Sequence, residues 1–297
     1  MKSLSIMAIC LMGFLCSTTA QDLNQRYTDK KDKEHLIGKC DRNALNAAPF
    51  EEWYKKYYDA YELDKTLLKH SEGKLKDVKI EIFMGTWCGD SKRGVPQFYK
   101  VLDELGVEES QVTLVNLYNM DSVYKQSPNH EEQGKLIHRV PTFIFYKNEK
   151  EIGRIVETPV TSFEMDMAQL LNGLPTAPNY KAVQDISKIF EEEGVPTDRK
   201  ELLAIANRIY KGAKGYRALN TYGYVLLAND EIDKAIATFT INCMIFRKMP
   251  NVWDSLAEAH EKNGELDKAL EFYKRVLELN PIAENAKKKV EELKSED

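Results

Sequence analysis

Apolar and polar positions change their rhythm near residue 175. Between residues 45 and 174 two periods are mixed. Phe50, Trp53, Tyr54, Tyr57 and Tyr61 recur at helical spacing, which predicts a helix with one face in a core. Val78-Lys79-Ile80-Glu81-Ile82-Phe83 alternates as a strand, and a helix follows to about residue 105. Further strands are predicted at 112–117, 142–146 and 152–157, a short helix at 131–137 and a closing helix at 162–171. Strands and helices interleaved in this way build an α/β sandwich. Asn172-Gly173-Leu174-Pro175-Thr176-Ala177-Pro178 then reads as a linker.

Beyond the linker the spacing is helical throughout. Val183, Ile186, Ile189 and Phe190 form one apolar stripe, and Asp198 with Glu201 marks the start of a helix carrying Leu202, Ile205, Ala206 and Ile209. Glu191-Glu192-Glu193 reads as a solvated helix end. Asn229-Asp230-Glu231-Ile232-Asp233-Lys234-Ala235-Ile236 is echoed 34 residues later by Asn263-Gly264-Glu265-Leu266-Asp267-Lys268-Ala269-Leu270. That interval is the period of the tetratricopeptide repeat, and the second copy resembles the family in Trp253, Leu256, Ala257, Gly264, Ala269, Tyr273 and Pro281. The first copy keeps Tyr222, Gly223, Ala235 and Phe239, with Leu219 and Arg247 in the Trp and Pro positions. Two repeats bury little alone, so helices at 180–211 should pack beneath them and 282–294 should cap the open end.

The first twenty residues are of another kind. Lys2 gives a positive start, the stretch from Leu4 to Cys16 is almost unbroken apolar sequence, and Thr18-Thr19-Ala20 offers small residues before Gln21. This is the pattern of a cleaved secretory signal, too short for a membrane span; a lipid-anchor site at Cys16 is disfavoured by bulky Phe14 and Leu15. Removal of the signal leaves Cys40, Cys88 and Cys243, an odd number that leaves at least one thiol free or paired with another molecule. Over the 297 residues, 43% hydrophobic and 30% charged, Lys+Arg 42 against Asp+Glu 47 gives a net charge of −5. Mild acidity argues against a nucleic-acid partner.

The chemistry concentrates in Thr86-Trp87-Cys88-Gly89-Asp90-Ser91-Lys92, between the strand at 78–83 and the helix after it. A cysteine in the first turn of a helix has its thiolate stabilised by unpaired backbone N–H groups. Asp90 works against this and Lys92 offsets it. Trp87-Cys88-Gly89, Pro96 eight residues beyond Cys88, and Val140-Pro141-Thr142 before a strand occur in order. In these features residues 78–157 resemble the thioredoxin fold family. The resemblance implies Cys88 as the nucleophile, a cis peptide bond at Pro141, and substrate docking by Val140, Pro141 and Thr142.

Two positions depart from that family. Ser91 stands where the resolving cysteine belongs, so a mixed disulfide at Cys88 must wait for an external thiol. Ile82 replaces the buried acid expected six residues before the first cysteine. The expected organisation is a signal peptide (1–20), an N-terminal arm (21–44), a thioredoxin-like domain (45–174), a linker with a helical pair (175–214), and repeats with a capping helix (215–297). Function is expected to be monothiol exchange or isomerisation on client proteins, held at Cys88 and by the repeats, in a periplasmic or secreted setting and without a cofactor. The alternatives are a redox-inactive polypeptide-binding module and a metal-binding protein using Cys88 with His138 or Asp90. His138 reads more simply as a surface residue, Cys40 as a thiol in a polar arm with a minor option as a remote resolving cysteine, and Cys243 as a packing thiol.

Overall fold

In the computed structural model, which describes residues 23–174 and 180–295, the alternating run at 78–83 becomes an inner strand of a six-stranded sheet. The signal segment and residues 175–178 of the linker lie outside the described residues. The strands are β1 (Gln25–Thr28), β2 (Glu34–Cys40), β3 (Val78–Met84), β4 (Val112–Asn116), β5 (Thr142–Lys147) and β6 (Lys150–Val156). Their order is β1-β2-β4-β3-β5-β6, with β3 and β4 parallel and the other neighbours antiparallel.

Successive side chains of a strand face opposite sides, which gives the sheet two cores. Ile80, Ile82, Met84, Leu114, Phe143 and Phe145 pack on one side against α4 (Gly89–Glu104) and α5 (Phe163–Leu171), with the shorter α1 (Arg42–Leu45), α2 (Glu51–Asp59) and α3 (Lys65–Leu68) around them. The Phe98 ring, from α4, lies 4.5 Å from Phe143 and 5.3 Å from Phe163, centroid to centroid. On the other side Phe83, Val115 and Ile144 meet Leu117, Ile137 and Val140. Most of that cover comes from residues 117–141, a loop whose regular structure is a single 3₁₀ turn.

Two expectations are corrected here. Residues 21–44 were to be a polar arm, yet they supply β1 and β2, and β2 pairs with the edge of β4 through Gly38 opposite Asn116 and Cys40 opposite Leu114. The short apolar run Leu36-Ile37 sits among charged residues, so no strand period stands out. Cys40 is consequently a buried sheet residue whose Sγ donates to the Gly38 carbonyl at 3.5 Å, with no freedom to fold back. Residues 131–137 form turns and no helix: Gly134 and Leu136 take positive φ of 74° and 55°, and Glu132 turns inward to accept the Ser127 N–H at 3.0 Å and its hydroxyl.

The helical part consists of α6 (Lys181–Glu193), α7 (Arg199–Ile209), α8 (Tyr216–Ala228), α9 (Ile232–Ile245), α10 (Pro250–Lys262), α11 (Leu266–Leu279) and α12 (Glu284–Ser295). The repeat copies are the hairpins α8–α9 and α10–α11. Small residues sit where helices cross: a Cβ on Gly223 would lie 2.4 Å from the Phe239 ring, and Ala257 and Ala269 are fully buried beside Tyr273. Helices α6 and α7 share the core of α8 and α9, while Ala286, Val290 and Leu293 of α12 close the core of α11. No helix of the described residues is long and apolar enough to cross a membrane.

The loop at 117–141 joins the two parts. Leu136 packs on the α6–α10 core, and Gln126 Nε2 donates to the Ala228 carbonyl at 2.7 Å and to Asn229 Oδ1 at 3.1 Å. His138, read from sequence as a surface residue, is buried here, between the rings of Tyr180 and Tyr222 at 5.4 and 6.3 Å. Its Nδ1 bonds the Leu136 carbonyl at 3.1 Å. Burial pushes its pKa down to about 3. Its polar flank hides in sequence the helical face that covers it from the second half of the chain.

Two measurements follow from this packing. Ala269→Leu should overpack the α10–α11 contact and cost about 1–3 kcal/mol, whereas Lys268→Ala, on the exposed side and paired only with Glu265 at 2.6 Å, should cost a few tenths; urea denaturation of the full chain compares them, and equal effects would reject this register. His138 is neutral when folded and binds a proton near pH 6.5 when unfolded. It therefore contributes a stability that is complete above pH 6.5 and is lost as pH falls toward 3. The stability gap between the wild type and His138→Phe should narrow between pH 7.5 and pH 4.5, and a constant gap would contradict a buried neutral imidazole.

Candidate functional site

β3 delivers the chain into Gly85-Thr86-Trp87 and α4 begins at once, which leaves Cys88 as the N-cap with extended φ and ψ of −89° and 127°. Its N–H donates to the Gly85 carbonyl at 2.9 Å, and its carbonyl accepts the Lys92 N–H at 3.0 Å. The turn is held from three sides. Trp87 Nε1 donates to the Leu117 carbonyl at 2.8 Å, and its indole lies so close over Gly85 that a Cβ there would fall 2.3 Å from the ring. Thr86 is buried, its Oγ1 accepting the Leu36 N–H and meeting His35 Nδ1, both at 3.2 Å. Strand β2 thus reaches into the site that the sequence placed wholly within later residues.

The Cys88 thiol is half-buried and donates to the Val140 carbonyl at 3.3 Å. The Val140–Pro141 peptide bond is cis, as the resemblance implied. Pro141 packs under α4, 3.5 Å from a Cβ placed on Gly94, and its carbonyl accepts the Glu157 N–H at 2.7 Å. Val140 and Thr142 are buried, with Thr142 Oγ1 donating to the Arg139 carbonyl at 2.7 Å. Ser91 is fully buried and its Oγ accepts the Gly85 N–H at 3.3 Å. Gly89 is exposed. Asp90 pairs with Arg93, so the lysine expected to offset it, Lys92, gives way to the residue one further along the helix. Ile82 points into the core beneath α4, leaving that side of the site apolar.

Polar groups arrive instead from the loop, with no motif in the chain to announce them. Lys125 has a positive φ of 57° within a short ladder in which its N–H donates to the Tyr118 carbonyl at 3.1 Å and the Tyr118 N–H to the Gln126 carbonyl at 2.9 Å. Its side chain is 4% exposed, with Nζ 3.6 Å from the centroid of the Tyr124 ring, hydrogen-bonded to that tyrosine's hydroxyl, and 6.0 Å from the Trp87 ring. Burial, then repulsion from Arg139, pushes its pKa down to about 7, with Cys88 and Glu157 acting the other way. Arg139 pairs with Glu157 at 3.2 Å, and Tyr180 donates to the same carboxylate. Burial raises the Glu157 pKa, against the attraction of Arg139.

Other predicted ligands fall elsewhere. His138 faces Tyr180 and Tyr222, and among the described residues no three His, Cys, Asp or Glu side chains converge in a way that could hold a metal. Cys40 and Cys243 are both buried free thiols. Burial pushes the Cys40 thiol up to about 12 and raises that of Cys243 as well.

Comparison with known proteins bears on both parts of the chain. The tetratricopeptide repeat family matches residues 252–281, most of the second of the two hairpins and the two residues after it. The chain is similar to a thioredoxin of Malassezia sympodialis, 32% identical over 87 residues that span 29% of this chain and 75% of that protein. With that identity over most of the relative's length, and with a mixed sheet that brings a helix-capping cysteine to a cis-proline, the chain belongs to the thioredoxin family.

Proposed function

We propose that this is an exported thioredoxin-family protein that uses Cys88 for one-thiol exchange, holding or isomerising disulfides of client proteins, while the repeat helices supply further protein contacts. One observation carries the reading. Cys88 is the cysteine that is not buried among the described residues, and the nearest helical position able to serve it holds Ser91, whose hydroxyl is already engaged by Gly85. Sγ attacks one sulfur of a client disulfide, the client S–S bond breaks, and the other client sulfur leaves with the electron pair and takes up a proton. The new mixed disulfide persists until an external thiol attacks it and releases Cys88.

The surroundings support a polypeptide substrate. The Val140 N–H has no partner among the described residues, and an extended client chain could pair with it beside the cysteine. A cleft of about 600 Å³ runs between Tyr124 of the loop and Tyr224, Leu227, Glu258 and Lys262 of α8 and α10. Its mix of apolar and charged lining suits a peptide more than a compact metabolite.

Two outcomes are expected. With glutathione disulfide the wild type should gain one stable glutathione on Cys88, read by intact mass and abolished by Cys88→Ser, and it should reduce protein disulfides poorly; Ser91→Cys should instead form an internal disulfide and gain reductase activity, held below a full pair by the apolar Ile82. Failure of Cys88 to form the adduct, together with no gain from Ser91→Cys in a folded protein, would replace this reading with a redox-inactive polypeptide-binding module. For location, the mature chain should be recovered outside the cytoplasm beginning at Gln21. A retained Met1, or a lipid on Cys16, would overturn it.

A further inference from the structure

We infer that Lys125 is the ionisation partner of Cys88, its amine taking the thiol proton as Sγ attacks and passing it to the departing client sulfur. The inference rests on the one-thiol reading. It is carried by a juxtaposition: a lysine buried to 4% exposure has its Nζ 6.0 Å from the centre of the indole of Trp87, the residue preceding Cys88. Among the described residues it makes no ion pair with a carboxylate, its only polar side-chain partner being the Tyr124 hydroxyl. Burying a flexible ammonium without a counter-ion is costly, and the loop backbone is turned at Lys125 into the left-handed region. A lysine on a solvated loop needs neither.

The carboxylates around this pair are engaged, and the Tyr124 hydroxyl is bonded to Lys125 itself. Asp90 pairs with Arg93, Glu157 with Arg139 and Tyr180, and the His138 imidazole is held by the Leu136 carbonyl. The core beneath α4 offers Ile82 in place of an acid. A base whose pKa lies close to the working pH transfers protons in both directions most effectively, and burial together with Arg139 brings Lys125 to about 7. The step balances within the pair and the client. The client S–S bond breaks as the Cys88–client bond forms, the departing sulfur keeps the electron pair, and the proton lost by Cys88 reaches it through Nζ. No other oxidant or reductant enters.

The test uses the full-length wild type, Lys125→Met and Lys125→Arg, with alkylation of Cys88 by neutral iodoacetamide followed by mass spectrometry from pH 6 to 10. A coupled pair loses its protons in two macroscopic steps, so the wild-type rate should rise in two stages, the first near pH 7. Lys125→Met should show one stage and react about tenfold more slowly at pH 7, the loss expected when a neighbouring positive charge is removed, with the difference closing by pH 10. Lys125→Arg keeps the charge but cannot release its proton; it should recover much of the rate at pH 7 and still show one stage. A wild-type profile with a single stage, or a Met variant that matches the wild type, overturns the inference, and the wild-type profile decides even if a variant fails to fold. The same samples treated with glutathione disulfide separate the two claims: adduct formation with no dependence on Lys125 removes this role alone, whereas no adduct on the wild type removes the one-thiol reading.

Discussion

The contact between residues 117–141 and the repeat helices is the constraint on which the rest of the molecule rests. That loop covers one face of the sheet, and an irregular segment can do so only if its backbone groups find partners. The Tyr118–Lys125–Gln126 ladder, the inward Glu132 and the bond from Gln126 to the end of α8 supply them. A helix leaves its last carbonyls unpaired, and here the Ala228 carbonyl is satisfied by a side chain from the other part of the chain. The same loop brings Lys125 and Arg139 to Cys88, so the repeat domain is part of what shapes the site.

Polar chemistry has accordingly changed sides. Ile82 puts an apolar side chain beneath α4 where an acid was expected, and Ser91 offers no second sulfur. The titratable groups lie on the loop and at the end of β6, where Lys125, Arg139 and Glu157 form an uneven set with two bases and one acid.

Legibility in the sequence followed locality. The strand at 78–83, the helix after it, Cys88 at their junction and the repeat register all rest on residues close together in the chain, and each could be read from spacing; the cis bond at Pro141 was implied by the resemblance to the thioredoxin fold family. β1 and β2 could not, because β2 joins the sheet only where Gly38, Lys39 and Cys40 pair with β4, far along the chain. His138 and Lys125 were hidden for the same reason: each is a polar residue in a polar stretch, buried by helices or rings that sequence proximity does not announce. The aromatic helix at 51–59 was legible as core because its face carries its own period, with Phe50 and Tyr54 buried and Trp53 packed against them.

The bond between Gln126 and the last turn of α8 also bears on how such a chain can drift over generations. Residues 126 and 138 are fixed at separate points on the same helical body, one at Ala228 and one at Tyr222, while Val140 is fixed at Cys88. Surface loops ordinarily absorb insertions with little penalty. This one is pinned at three places, so an added or deleted residue would displace either the histidine or the cis-proline. Its composition can wander, but its length is held as tightly as that of a buried strand.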